Sequence, residues 1–397
     1  MKSQESYALE ECEKSLGLAQ RYREAGQIDQ SSEVLESLLD KYPGHPEALF
    51  WLSHQKTLTP DSKALSQLES WYREKRVNSV SNSSYLLFAL GRVREKQERW
   101  DEAYQFYLNA NQQHKQELNL LNTDANIYIG QSRLHKSLYK SLRRLPSFVF
   151  GSDFGKDLVF IVGLPRCGST LVETIIGMSS EACPLGELKA LPLALEDSEI
   201  INLLKEERLE PSLLKNRLSK LDIVYRNNIP TNLGIKLDKT LTNFYLLGLI
   251  SRVWPAAKII HVKRHPLDQI MSAWKSRFAI GHRYSLELSD LIKVYASYND
   301  LMDFWQTEFG SRIYICKYER LVKKPINESK SLASFCGIQW SEKMLKPQYS
   351  DRKVKTASFQ TIREPINVNS VGSWKNYAKQ LEPYLKELIS LGVDVED

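Results

Sequence analysis

Two rhythms of apolar and polar positions divide this chain. Up to about Lys140 apolar residues recur at helical spacing, which predicts amphipathic helices and few strands. Beyond about Lys156 short apolar runs alternate with helical stretches: Leu158–Val162, Lys258–Val262 and Ile313–Lys317, each running into a turn or a helix start. Strands apolar on both faces and separated by helices predict a parallel sheet covered on both sides, an α/β architecture. The charged, leucine-rich stretch 188–228 reads as helices inserted into that order. Pro146, Gly151 and Gly155 fall between the two rhythms. The expected division is a helical domain over 1–145 and an α/β domain over 146–397.

Within the first half the pattern repeats at roughly 34 residues, the tetratricopeptide period. Leu87, Leu90, Gly91, Trp100, Ala103, Tyr107 and Ala110 give the clearest copy, with Gly91 and Ala103 allowing close approach while Trp100 and Tyr107 fill the groove. Leu18, Ala19, Tyr22, Gly26, Ser31, Leu35, Leu38 and Pro43 give a looser one, and 46–82 a degenerate helix pair with Pro60 at its turn. Such repeats stack into a short solenoid whose concave face can dock a protein partner or simply support the second domain.

Composition narrows the class. A net charge of +6 with basic residues spread along the chain suits small anions and gives nucleic acid no concentrated footprint. The cysteines, Cys12, Cys167, Cys183, Cys316 and Cys336, show no paired ligand spacing, so a zinc site is not expected and a reducing compartment is. No apolar run is long enough to span a bilayer, and the expected location is cytoplasmic.

The candidate chemistry begins at Gly163-Leu-Pro-Arg166-Cys167-Gly168-Ser169-Thr170-Leu171, directly after the first strand. The spacing is that of a phosphate-binding P-loop, with Ser169 in the slot where a nucleotide hydrolase has lysine. Backbone N–H groups at a helix start hold an anion in either case, and Arg166 adds a forked cation. A second cluster, Arg264 at a strand end and Ser272 on the helix opened by Pro266, can meet another anion. His261, mid-strand, reads as a satisfied core residue, as do Phe244, Tyr245 and Trp274. Asp268 reads as structural, pairing with an arginine or capping its helix.

From about Asp157 to the C-terminus the chain resembles sulfotransferases that use 3′-phosphoadenosine 5′-phosphosulfate (PAPS), and it looks most like bacterial members with N-terminal tetratricopeptide repeats, whose catalytic half is similar to tyrosylprotein sulfotransferases. The loop of Arg166, Cys167, Gly168, Ser169, Thr170 and Leu171 resembles the family's 5′-phosphosulfate site, and Arg264 with Ser272 its 3′-phosphate site. By the same resemblance Lys239 lies near the scissile bridge, Glu187 in Gly186-Glu187 is the base, and Tyr318 stands by the adenine. Ser370-Val-Gly372-Ser-Trp374-Lys375 resembles the C-terminal closing segment, which adds Lys375 to the nucleotide site. His265 departs from the aspartate frequent at its position, and His282, in a loop, is the competing base. The resemblance implies sulfuryl transfer from PAPS to an acceptor hydroxyl or amine, release of adenosine 3′,5′-bisphosphate (PAP) and no metal requirement. The acceptor stays open among peptide, carbohydrate, lipid headgroup and small metabolite. A P-loop kinase or nucleotide hydrolase is the alternative enzyme, disfavoured by the missing lysine; a repeat scaffold with a vestigial nucleotide site is the non-catalytic one.

Overall fold

Apolar stripes at helical spacing build the first part of the chain as antiparallel helix pairs. The computed structural model describes residues 4–74, 83–123, 125–143, 150–205, 210–231, 234–278, 281–350 and 363–395. Helices α1 (Gln4–Glu24) and α2 (Ile28–Lys41) pack together, followed by α3 (Pro46–Gln55), α4 (Lys63–Arg73), α5 (Ser84–Lys96), α6 (Trp100–Glu117) and α7 (Ala125–Arg143). Gly91 is needed where α5 meets α6, since a Cβ there would lie 2.8 Å from the Tyr107 ring. Trp100 departs from its expected groove-filling role: its ring meets Tyr377, from the far end of the chain, edge-on at 5.8 Å. Pro146 and the 145/146 boundary lie outside the described residues, as does the end of the 46–82 segment.

The second part forms a parallel sheet. Strands β1 (Leu158–Val162), β2 (Ala182–Gly186), β3 (Ile235–Asp238), β4 (Lys258–Lys263) and β5 (Ile313–Lys317) stand in the order β2-β3-β1-β4-β5. The strands expected from apolar runs are β1, β4 and β5, but β5 stands at the other edge and leaves Ile315 exposed, so it is not covered on both faces as expected. Strands β2 and β3 carry no such run. β2 is an edge strand, half-exposed and interrupted by Pro184, and β3 is only four residues long with Lys236 and Asp238 in it. Helix α8 (Ser169–Gly177) joins β1 to β2, and between β2 and β3 α9 (Ala190–Ser198), α10 (Ile200–Leu203) and α11 (Pro211–Asn227) fill the expected helical stretch. Then α12 (Leu247–Val253), α13 (Pro266–Trp274), α14 (Leu288–Phe309), α15 (Tyr318–Lys323), α16 (Pro325–Cys336) and α17 (Ala378–Ser390) complete the helices that flank the sheet.

One hydrophobic core runs from α2 and α5 through α7 to α14 and the face of β1. Polar contacts reinforce the join. Asn111 Nδ2 donates to the Trp274 carbonyl at 3.0 Å, Tyr377 Oη donates to Glu95 at 3.1 Å, and Lys275 forms an ion pair with Glu95. Residue Gly248 on α12 lets the Tyr139 ring of α7 close against it. This shared core places α1 and α3 opposite the carboxyl ends of the strands, where α/β sheets present their loops.

Candidate active site

The β1–α8 loop turns on two unusual backbone positions. Gly168 has φ 101° and caps α8; Arg166 has φ 69°, a strained value for a residue with a side chain. Gln269 on α13 secures the loop by donating to the carbonyls of Leu164 at 2.9 Å and Pro165 at 3.1 Å. A helix start leaves amides without intrahelical acceptors, so the N-terminus of α8 suits an anion. Two amides expected there are already committed. Cys167 N donates to Leu164 O at 3.3 Å and Leu171 N to Gly168 O at 3.0 Å. The Cys167 side chain is fully buried behind the loop, and burial pushes its thiol up.

Arg166, Arg264, Ser272, Gly168, Thr170, Leu171 and Tyr318 come together around a pocket of about 70 Å³. Arg166 Nε donates to Ser272 Oγ at 3.0 Å, and Arg264 donates through its terminal nitrogens to the carbonyls of Arg166 at 3.1 Å and Ser370 at 2.7 Å. These partners are neutral oxygens. Burial, then the nearby Arg264 and Arg92 charges, lowers the Arg166 pKa to about 10. Arg264 Nε is buried without a hydrogen-bond partner. Two clustered guanidiniums and an orphaned donor suit a phosphate. Tyr318 starts α15 at the end of β5, with the Arg264 guanidinium 4.8 Å from its ring centroid. Ile366, Asn367 and Ser370 from the C-terminal segment close the same pocket. Lys375 does not line it; the side chain is exposed, its ammonium 5.9 Å from the Trp374 ring.

Across Arg166 and Thr170 the pocket adjoins a larger cleft of about 800 Å³, which Ser169, Glu187 and His282 also line. Lys239 Nζ donates to Glu187 Oε1 at 2.7 Å, the lysine 2% and the carboxylate 57% exposed. Lys239 directly follows β3 and is fully buried. Three contacts fix this pair: Lys239 N to Gly186 O at 2.9 Å, Leu188 N to Thr240 Oγ1 at 2.8 Å, and Gly186 N to the buried Glu173 carboxylate at 2.8 Å. Sequence reasoning missed Glu173, Thr240 and Gln269, because each acts on backbone groups distant in the chain. His282 lies beside Tyr284, its Nδ1 3.3 Å from the Tyr284 hydroxyl, and burial lowers its pKa against the opposing charge of Glu187. Phe244 is the core residue expected and Tyr245 packs against that core; both also line this cleft.

His265 and Asp268 brace the site. His265 stacks on Trp374 with ring centroids 5.3 Å apart, and its amide donates to Glu319 at 2.9 Å. Asp268 accepts from the amides of Gly372 at 2.7 Å and Trp374 at 2.8 Å and from the Ser373 hydroxyl at 3.0 Å. It therefore caps the short helix 373–377, not its own. His261 is the core residue expected, its Nε2 2.6 Å from the Tyr298 hydroxyl.

Residues 158–342 match the model of the sulfotransferase family. This chain contains a sulfotransferase-family domain. The match runs from β1 through α16 and includes the anion loop, Glu187, Lys239, Arg264 and Tyr318. An "uncharacterized protein" of Aquifex aeolicus (strain VF5) is 27% identical over 381 residues, which are 91% of this chain and 48% of that protein. The chain thus spans about half the length of that relative. Protein-tyrosine sulfotransferase 1 of Danio rerio is 22% identical over 272 residues, covering 61% of this chain and 72% of that one. Among solved structures, the sulfotransferase domain of the Synechococcus PCC 7002 olefin synthase aligns with a TM-score of 0.41 and 19% identity, over 57% of this chain and 94% of that chain. Among the described residues, no cluster of His, Cys, Asp and Glu could hold a metal ion, and no helix is long and apolar enough to cross a membrane.

Proposed function

We propose that this protein transfers a sulfuryl group from PAPS to an acceptor hydroxyl or amine by in-line displacement, with release of PAP. The observation that carries this reading is the junction at Arg166 and Thr170, where a pocket holding Arg264, Ser272 and Tyr318 adjoins the cleft holding Glu187. A two-ended anion suits that layout. Arg264 and Ser272 would hold one end; Arg166, the α8 terminus and the Ser169 and Thr170 hydroxyls would hold the other. When bound, the nucleotide would supply a sulfuryl group joined through a bridging oxygen to a phosphate, and that oxygen would leave with the S–O bonding pair.

The chain's own residues supply positioning and charge, which dominate transfers with loose in-line transition states. Glu187, half-exposed in the cleft, takes the acceptor's proton. Lys239, buried beside it, offers its ammonium to charge growing on the leaving oxygen. His282 is a second candidate base, since burial favours its neutral, proton-accepting form. We read the helical half as tetratricopeptide-like and the division as 1–145 and 146–397, on the paired helices and the Gly91–Tyr107 approach. A cytoplasmic location belongs to the same proposal, supported by five cysteines that are all free.

Calorimetry with PAP tests the donor site. Tight binding that weakens at least tenfold in Arg264→Ala, with ATP a poor competitor, is the expected result; folded protein that ignores PAP would overturn the proposal. Turnover then assigns the base. Glu187→Gln is expected to lose a factor on the order of 10² or more in kcat with PAP binding intact. A larger loss in His282→Asn than in Glu187→Gln would transfer the role to His282.

A further inference from the structure

The cleft that reaches Glu187 is walled on its outer side by the helical region. Glu13, Gln20, Arg23 and Glu24 of α1 and Glu47 and Trp51 of α3 share this one cavity with the candidate base. At its inner end Phe244, Tyr245, Phe278 and Tyr284 surround the approach to Glu187 and His282. Arg277, also on the wall, is held by the helical region: its guanidinium lies 3.6 Å from the Tyr85 ring centroid, and its Nε donates to Ser84 Oγ at 3.0 Å.

The outer wall is an organised surface. The Arg23 guanidinium lies 3.6 Å from the Trp51 ring centroid, Trp51 Nε1 donates to Glu47 at 3.1 Å, and Gln20 donates to Glu24 at 2.8 Å. Arg23 is buried under this arrangement. The charged lining residues of α1 and α3 are three carboxylates, Glu13, Glu24 and Glu47, against the Arg23 guanidinium. That end of the cleft therefore carries surplus negative charge, while the donor end carries Arg166. A volume of about 800 Å³ is near the upper range for drug-sized ligands. A simple phenol or alcohol at Glu187 would leave most of it unfilled, and contacts remote from the reacting centre are where an enzyme gains the binding energy that orients a substrate.

We propose that α1 and α3 form the outer half of the acceptor site, and that the acceptor is an extended molecule carrying positive charge. Its hydroxyl lies at Glu187 and its cationic end along Glu13, Glu24 and Glu47. This inference rests on the sulfuryl-transfer reading above. The aromatic inner end makes a phenol a suitable reacting group for a probe. The acidic outer end selects what is attached to it.

The test uses the full chain with PAPS and two tyrosine-containing peptides of equal length, one flanked by lysines and the other by glutamates. The lysine peptide is expected to be used at least tenfold better in kcat/KM. A Glu13→Lys, Glu24→Lys double variant, altered on accessible positions of α1, is expected to abolish or reverse that preference. Its PAP binding, measured by calorimetry, reports that the fold and donor site are intact. An unchanged preference in the variant, a wild-type preference for the glutamate peptide, or use of neither peptide by protein that binds PAP overturns the inference. Failure of the wild-type protein to bind PAP overturns the donor-site reading instead, so the two failures are distinct.

Discussion

Gly168 combines a left-handed φ of 101° with a steric limit, since a Cβ there would lie 2.5 Å from Tyr318 Cδ2. No side chain fits without moving either the loop or the tyrosine. Gly168→Ala is expected to weaken PAP binding at least tenfold in a protein whose circular dichroism is unchanged; wild-type affinity would show that the Tyr318 ring yields freely. Glu173 acts one step further back, holding the Gly186 amide and through it the Glu187 backbone. Glu173→Ala leaves that amide without its carboxylate partner, at about 1–3 kcal/mol if it stays buried. A tenfold or greater fall in kcat is expected, with PAP binding retained and Glu173→Gln restoring most of the rate; equal loss in both variants would mean that charge and not positioning matters. Sequence pattern named the residues whose side chains face the pockets and whose motif spacing is regular, such as Arg166, Arg264 and Ser272. Glu173, Thr240 and Gln269 were illegible, because they serve carbonyls and amides that only folding brings near.

At the scale of elements, the short edge strand β2 and the closing segment show the same limit from two sides. β2 is an edge strand that carries Pro184 and Gly186 and is only half-buried along its length, so it shows no apolar run. The C-terminal segment reaches the pocket through Ile366, Asn367 and Ser370 and is tied down by Asp268, one carboxylate that accepts from two amides and a hydroxyl. Arg264 adds a bond to Ser370 O at 2.7 Å, so the anion-site arginine and the closing segment depend on each other. Asp268→Ala is expected to weaken PAP binding about tenfold, about 1.4 kcal/mol. Amides 370–374 should then exchange hydrogen faster than in the wild-type protein. Exchange at the wild-type rate would show that Trp374 stacking on His265 and the Arg264 bond to Ser370 hold the segment without Asp268.

Across the whole molecule, buried histidines tie stability to pH. His261 is pushed down to about 3 and His135 to about 4 by burial, and burial also lowers His54. The unfolded chain takes up these protons near the ordinary value of 6.5. Below that pH the unfolded state binds protons that the folded state refuses, so stability falls on acidification until the folded pKa is passed. For His261 alone the loss by pH 5 is about 2 kcal/mol. Urea unfolding is expected to show a lower midpoint at pH 5 than at pH 7. Equal midpoints would mean that these imidazoles accept protons in the folded protein.

By itself the sequence determined the two rhythms of the chain, the three strands that carry apolar runs, and the anion loop with its second arginine. These follow from local spacing, since the periodicity of helix and strand and the geometry of a helix start act over a few residues. Only the tertiary structure decided that Arg166 joins two cavities, that Lys239 meets Glu187, and that α1 and α3 wall the larger cleft. Burial of one apolar core common to both halves brings together surfaces that sequence spacing keeps far apart.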